Sequence, residues 1–153
     1  EMSDTLAGGT IKRNGAIRVW SALENLYRNR LITSEQRDAG EKYYADWYIG
    51  FEAPSQTTMR WSDYVSGLGA DSGSMDAAER RVFHVNRFRA ANRLLDQFDI
   101  RKPIHWLIIN GIIPRDVGRR FRGYRGRDTA ASSGTTTIVI GLTGLAKFYG
   151  LVK

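Results

Sequence analysis

The segment 113–127, IPRDVGRRFRGYRGR, combines six arginines with one acid, Asp116. Arginine keeps its charge at physiological pH and pairs with phosphate through two parallel N–H donors. This composition predicts phosphate binding, of the kind that a nucleic-acid backbone offers. The six residues are Arg115, Arg119, Arg120, Arg122, Arg125 and Arg127.

The same segment predicts a short helix followed by a turn. Pro114 suits the first helical position, and Val117 and Phe121 fall four apart on one face. Gly118 would allow a second helix to approach closely, and Gly123 would end the first one. A short helix, a glycine turn and a further helix are the outline of a helix-turn-helix.

The stretch after Arg127 fits two structures. Thr135 to Ile140 is a run of six β-branched residues, which favours a strand. The apolar repeat of Ile138, Leu142, Leu145 and Tyr149 favours a helix instead. We predict a helix, because a lone strand would have no partner in this chain.

If this last helix enters the major groove, the side chains at its start reach the base edges. Those residues are Ser132, Ser133, Thr135 and Thr136, with Thr137 one position further. Alternatively, these short hydroxyls cap the helix and touch phosphate. We expect Arg125 and Arg127 to contact base edges, and the other four arginines to hold backbone phosphates, while Asp116 caps the helix or pairs locally with one of them.

The net charge of +7 is unevenly distributed. Residues 1–78 contain 8 Lys and Arg against 11 Asp and Glu, a net charge of −3, whereas residues 79–153 contain 15 against 5, a net charge of +10. A basic half beside a weakly acidic half favours a polyanionic partner, and double-stranded DNA is the one we expect. A solvated basic surface is the alternative.

The remaining patterns predict an all-α, multi-helix fold. Apolar spacing predicts one helix from Arg13 to Leu31, and Thr33 or Ser34 caps a second that runs to about Ile49. A long helix begins at Asp76 and runs to about Asp99, and another begins at Pro103. The long helix is expected to bury Phe88, Ala91, Leu95 and Phe98.

These elements suggest four segments: a flexible N-terminus over 1–12, a helical hairpin over 13–50, a loop or linker over 51–74, and a basic helix-turn-helix domain over 75–153. No apolar run approaches the length of a membrane span, and the start lacks a secretory pattern. We therefore expect a cytoplasmic protein that does not enter membranes.

Catalytic and metal-binding signatures are missing from the sequence. The chain has no cysteine, and neither His84 nor His105 has a carboxylate or second histidine at metal-ligand spacing. Both histidines are expected to serve packing or to lie on the surface. No nucleophile elbow, P-loop or His-Glu-x-x-His motif is present, so we expect neither an enzyme nor a bound cofactor.

Short motifs in both halves carry a resemblance to a known family. In the first half they are Leu23 to Tyr27, Leu31-Ile32-Thr33, Gln36, Ala39-Gly40, Tyr43 and Asp46; in the second they are Ser133-Gly134, Leu142, Leu145-Ala146 and Tyr149-Gly150. The chain resembles an uncharacterised helix-turn-helix domain of alphaproteobacterial chromosomes and their prophages, whose C-terminal half is similar in outline to region 4 of sigma factors. This resemblance implies DNA binding through the last helix.

Two features depart from that family. The turn from Gly123 to Ser132 is longer than a typical helix-turn-helix turn, and Gly141 and Gly144 would each weaken the last helix by about 1 kcal/mol relative to alanine.

Three functions follow from these patterns. The leading hypothesis is a DNA-binding transcription regulator of a phage or an alphaproteobacterium. The second is a phage small terminase, a DNA-packaging subunit that assembles as a homo-oligomeric ring. The third is an interaction protein that docks on RNA polymerase.

Overall fold

The computed structural model describes residues 10–13, 16–19, 21–52, 76–123 and 126–153. Helices dominate these residues, so the prediction of an all-α fold is confirmed. The helices are α1 Ala22–Arg28, α2 Ser34–Trp47, α3 Ala77–Gln97, α4 Arg101–Ile108, α5 Pro114–Arg122 and α6 Arg127–Phe148. A π-helical turn, Tyr48–Glu52, continues α2. The loop predicted over 51–74 otherwise lies outside the described residues.

The prediction of one helix from Arg13 to Leu31 is wrong. Two strands, β1 Thr10–Arg13 and β2 Ala16–Val19, pair antiparallel before α1, and β1 includes residues 10–12 that we expected to be flexible. Asn14-Gly15 between two alternating runs is a strong hairpin signal, which the helical spacing of apolar residues had outweighed. The helix itself starts only after Ser21, whose Oγ accepts a hydrogen bond from the Glu24 amide at 3.1 Å.

Two other helices start where they were predicted, α2 after the capping residue Thr33 and α3 at Asp76. Thr33 Oγ1 accepts from the Gln36 amide at 3.3 Å, and Gln36 Oε1 accepts from the Thr33 amide at 2.9 Å, which completes a capping box at the start of α2. Asp76 caps α3 by accepting from the Glu79 amide at 2.8 Å.

All six helices contribute to one hydrophobic core. It contains Leu26 from α1, Tyr43 from α2, Leu95 from α3, Leu107 from α4 and Val117 from α5, together with four residues of α6. The α6 residues are Ile138, Leu142, Leu145 and Ala146. The segments 13–50 and 75–153 therefore pack around the same interior.

The buried seam of α3 differs from the expected one at its end. Phe88, Ala91 and Leu95 are buried as predicted, but Phe98 is 59% exposed. The reason is that α3 ends at Gln97, and Phe98 lies in the turn that leads to α4. The buried position one turn before Phe88 belongs to His84.

Among the helices of the described ranges, none has both the length and the apolar character needed to cross a membrane.

Candidate nucleic-acid interface

The two helices α5 and α6 pack with their backbones in close contact. A β-carbon at Gly118 would overlap the carbonyl oxygen of Ala130, and one at Gly134 would overlap the carbonyl oxygen of Pro114. Only glycine at both positions permits this approach. The close contact predicted for Gly118 is therefore found, and it holds α5 directly against the N-terminal half of α6.

A short connection joins these helices. Gly123 ends α5 in the left-handed region at φ 69°, and α6 begins at Arg127 after Gly126 as its N-cap. The expected long turn from Gly123 to Ser132 is wrong, because residues 127–132 already belong to the helix. Gly126 is the N-cap and has no side-chain cap, so the alternative in which Ser132 and its neighbours cap this helix is wrong.

The prediction of a helix over Thr135 to Ile140 is confirmed. Three threonine hydroxyls hydrogen-bond to carbonyls one turn back: Thr136 to Ser132 at 2.9 Å, Thr137 to Ser133 at 2.9 Å, and Thr143 to Val139 at 2.7 Å. These bonds satisfy the hydroxyls inside the helix and so accommodate a β-branched run there.

Three arginines of α5 follow one another at helical spacing. Arg115, Arg119 and Arg122 are separated by four and then three residues, so they share one side of the helix. Val117 and Gly118 occupy the buried side. Arg119, Arg120 and Arg122 are exposed, whereas Arg115 is half-buried.

The acid of α5 neutralises its arginines only weakly. Asp116 Oδ1 lies 3.7 Å from Arg115 Nε and 3.8 Å from Arg119 Nη1, which confirms the local pairing expected for Asp116. These separations are too long for hydrogen bonds, and partly exposed pairs contribute about 0–1 kcal/mol. Arg115 Nε is buried with no hydrogen-bond partner. Arg119 is exposed, so its guanidinium donors remain available to an anion, whereas Arg115 Nε is not accessible.

Three further arginines lack an ion pair within the described part of the chain: Arg120, Arg122 and Arg127. The guanidinium carbon of Arg122 lies 4.8 Å from the ring centre of Phe121, a cation–π contact. Arg127 is exposed in the first turn of α6. Arg125 lies outside the described residues.

The hydroxyl residues divide into accessible and inaccessible ones. Ser132 and Thr136 are exposed and lie four apart on the outer side of α6, while Ser133 and Thr135 are half-buried. Thr137 is only 8% exposed and cannot reach a ligand.

The first turn of α6 contains Arg127, Asp128 and Thr129, all exposed. The sequence reasoning did not select Asp128 or Thr129. A glycine followed by an acid within the first turn is a helix-start signal that could have identified them.

A second polar cluster, missed from the sequence, lies in the interior. Asp46 of α2 accepts hydrogen bonds from His84 Nδ1 at 2.7 Å, from Arg87 Nη2 at 2.7 Å and from the Tyr149 hydroxyl at 2.7 Å. We call Asp46, His84, Arg87 and Tyr149 the buried cluster. Burial, and next the adjacent Asp46 carboxylate, raise the pKa of Tyr149 well above its ordinary value. Asp46 and His84 are fully buried, whereas Arg87 and Tyr149 are partly exposed.

His84 is buried, one of the two locations expected for it, but it bonds to a carboxylate that lies 38 residues away in the sequence and could not be found from local spacing. Within the described ranges, no group of three or more His, Cys, Asp or Glu side chains is arranged to hold a metal ion.

Comparison of the chain with models of protein families, with curated proteins and with solved structures gives no match. Function must therefore be inferred from the side chains themselves. Within the described residues, the arginines of α5 and the exposed residues of α6 are the predicted site residues that remain accessible.

Proposed function

We propose that this chain is a transcription regulator that binds double-stranded DNA, with α5 and α6 acting as a helix-turn-helix. The proposal is carried by one observation. Arg120, Arg122 and Arg127 have exposed guanidinium groups without an ion pair in the described residues, and they lie on two helices that the Gly118 and Gly134 contacts hold together.

The arginines supply affinity in this proposal. Phosphate contacts release counterions from the duplex, and each contact makes binding more dependent on salt. Arg115, Arg119 and Arg122 share one side of α5 and would follow a line of phosphates. The backbone amides in the first turn of α6 can also bind a phosphate, because Gly126 leaves them without a side-chain cap.

Any preference for a DNA sequence comes from base contacts made by the N-terminal turns of α6. Arg127 is the side chain with the reach and the paired donors to contact a guanine edge. Ser132 and Thr136 are accessible on the outer side of the same helix, although the Thr136 hydroxyl already donates to a carbonyl and is left to accept. We therefore expect strong binding to duplexes of any sequence and only a small preference for a particular sequence.

The regulatory role, and a phage or alphaproteobacterial origin, depend on the family resemblance and belong to the proposal. The mass of the protein in solution separates regulation from DNA packaging. A monomer or dimer agrees with a regulator, whereas a closed ring of many subunits would favour a small terminase.

The test is duplex binding across a series of salt concentrations, with Arg119→Ala/Arg120→Ala compared with the wild type. Loss of two phosphate contacts should reduce the slope of log affinity against log salt by about two. Folding stability should change by less than about 0.5 kcal/mol, because both side chains are exposed.

Arg89→Ala/Arg93→Ala is the matched control. It removes the same charge from exposed positions of α3 that have no ion pair among the described residues. An equal loss of affinity in the control would show that only total charge matters. Binding that does not depend on salt would overturn the proposal.

A further inference from the structure

A small groove lies between α3 and α4, apart from the arginines of α5. Its volume is about 290 Å³, and its lining residues are Phe88, Asn92, Arg101, Lys102, His105 and Trp106. The groove combines two cations, an imidazole, an amide and an indole.

The cations of the groove are only partly compensated. Arg101 Nε lies 3.1 Å from Asp96 Oδ1, and both side chains are half exposed. Such a surface pair contributes at most about 1 kcal/mol, so Arg101 can exchange it for an anion. Lys102 is exposed and has no ion pair among the described residues. The groove therefore offers a net positive charge.

The amide of the groove is held in a fixed orientation. The hydroxyl of buried Tyr43 donates to Asn92 Oδ1 at 2.6 Å. Because the oxygen of this amide is occupied, its NH₂ group is the part that can donate to an occupant. The groove thus has a neutral donor beside its cations.

The aromatic part of the groove comes from Trp106 and Phe88. Trp106 is half-buried, which leaves part of its indole exposed, while buried Phe88 anchors the adjoining core. Nearby, burial and then the charge of Arg101 lower the pKa of His105. His105 therefore lines the groove as a neutral imidazole that can hydrogen-bond to a ligand.

We infer that this groove binds a nucleotide, with its phosphate held by Arg101 and Lys102 and its base stacked on Trp106. Cation pairs bind phosphate, and an exposed indole stacks on any base. Asn92 and His105 provide hydrogen bonds. The volume of about 290 Å³ is just below the range of ligand pockets, about 300–1,000 Å³, and suits one nucleotide better than an extended strand. The site is independent of duplex binding by α5 and α6.

The bound nucleotide can be either a free mononucleotide or the 5′-terminal nucleotide of a strand, because both present a phosphate and a base. The probes are deoxyadenosine 5′-monophosphate, inorganic phosphate and a 5′-phosphorylated tetranucleotide. Binding is followed by the NMR shifts of the His105 ring and the Trp106 indole N–H in the full chain.

Saturable shifts of both resonances with the mononucleotide are expected. Lys102→Ala should weaken this binding about five- to tenfold, the effect of one charge-assisted contact. Trp106→Phe should weaken binding of the mononucleotide, followed at the His105 ring, while leaving the affinity for inorganic phosphate unchanged. Tighter binding of the tetranucleotide would assign the site to strand ends, and tighter binding of the monophosphate would assign it to free nucleotides.

Arg93→Ala is the matched control, an exposed cation of α3 outside the groove lining. It should bind the mononucleotide like the wild type. Shifts that do not saturate, or equal weakening by Lys102→Ala and Arg93→Ala, would overturn the inference. Duplex binding by Arg119 and Arg120 would stand in either case.

Discussion

Arginine occupies two opposite environments in this protein. Arg87 lies against fully buried Asp46, with Nε and Nη2 contacts of 2.7 to 3.0 Å. Arg119 is exposed and has only a 3.8 Å pairing with Asp116, while Arg120 has no ion pair in the described residues. The same side chain thus stabilises the fold in one place and remains available for a ligand in the other. Whether an arginine has an ion-pair partner within the protein is therefore a better guide to a candidate binding surface than the number of charges.

The two regions are also held together differently. The buried cluster joins α2, α3 and the end of α6 through charge-assisted hydrogen bonds. The α5 and α6 surface instead depends on backbone contact at Gly118 and Gly134. Changes in the first region should therefore affect stability, and changes in the second should affect the proposed DNA binding.

The largest effect on stability is expected for Asp46→Asn. It removes the buried carboxylate and leaves the partly buried Arg87 without its counterion, which costs roughly 3 kcal/mol, the lower end of the cost of breaking a buried pair. Urea denaturation should show this decrease in the free energy of unfolding. Asp96→Asn is the control, because its pair with Arg101 is half exposed and its loss should cost less than about 1 kcal/mol.

A loss as small for Asp46→Asn as for Asp96→Asn would remove the distinction between the two environments. If the folded fraction of Asp46→Asn keeps its duplex affinity, the separation of structural and ligand-binding arginines is strengthened.

An intermediate effect is expected for Gly134→Ala. The new β-carbon would overlap the Pro114 carbonyl oxygen and force α5 away from α6. Overpacking of this kind costs about 1 to 3 kcal/mol, and it should also weaken duplex binding by displacing the arginines. Stability is measured by thermal unfolding and affinity by a duplex titration.

Gly144→Ala is the control on the same helix. Its β-carbon would meet only Leu94 Cδ2, at 3.7 Å, so this change should stabilise the protein by about 0.5 to 1 kcal/mol. Equal behaviour of the two variants would contradict the close contact between α5 and α6.

The smallest effect concerns Glu41, a second carboxylate of α2. Unlike Asp46, it has no ion pair among the described residues, and burial raises its pKa above the ordinary value of 4.5. The raised pKa favours the protonated form in the folded state. Its contribution to stability is therefore full below pH 4.5 and is lost as the pH rises through the folded pKa.

Glu41→Gln should be more stable than the wild type at neutral pH, and the difference should shrink in acid. Urea denaturation at several pH values measures this. A difference that does not change with pH would mean that Glu41 acts through packing alone.

Local chemistry predicted much of the helical fold. Residue type and spacing predict Thr33 or Ser34 as a cap, Asp76 and Pro114 as helix starts and Gly123 as a helix end. The helix over Thr135 to Ile140 was also correct, although propensity favoured a strand. These features depend on groups within a few residues of each other.

Features that depend on distant residues were not predicted. Asp46 meets Tyr149 across 103 positions of the chain, and no local spacing connects them. Phe98 was placed in the core because its spacing continued the helical seam beyond the point where α3 ends. The sequence did not reveal the start of α6 at Arg127, because its N-cap Gly126 has no side chain that signals a cap. The residues expected to contact bases were therefore placed at Ser132 and Ser133, more than one turn into the helix.

The continuity of α6 has a consequence for how this surface can vary. An α-helix rotates by about 100° per residue, so Ile138 and Leu142 in the core fix the rotational phase of Ser132 and Thr136 outside. Inserting one residue just before Ile138 would turn the outer side chains by about that angle and carry Gly134 out of its contact. Substitutions at Ser132 and Thr136 leave the helix in register, whereas an insertion or deletion between these residues and the core residues Ile138 and Leu142 does not.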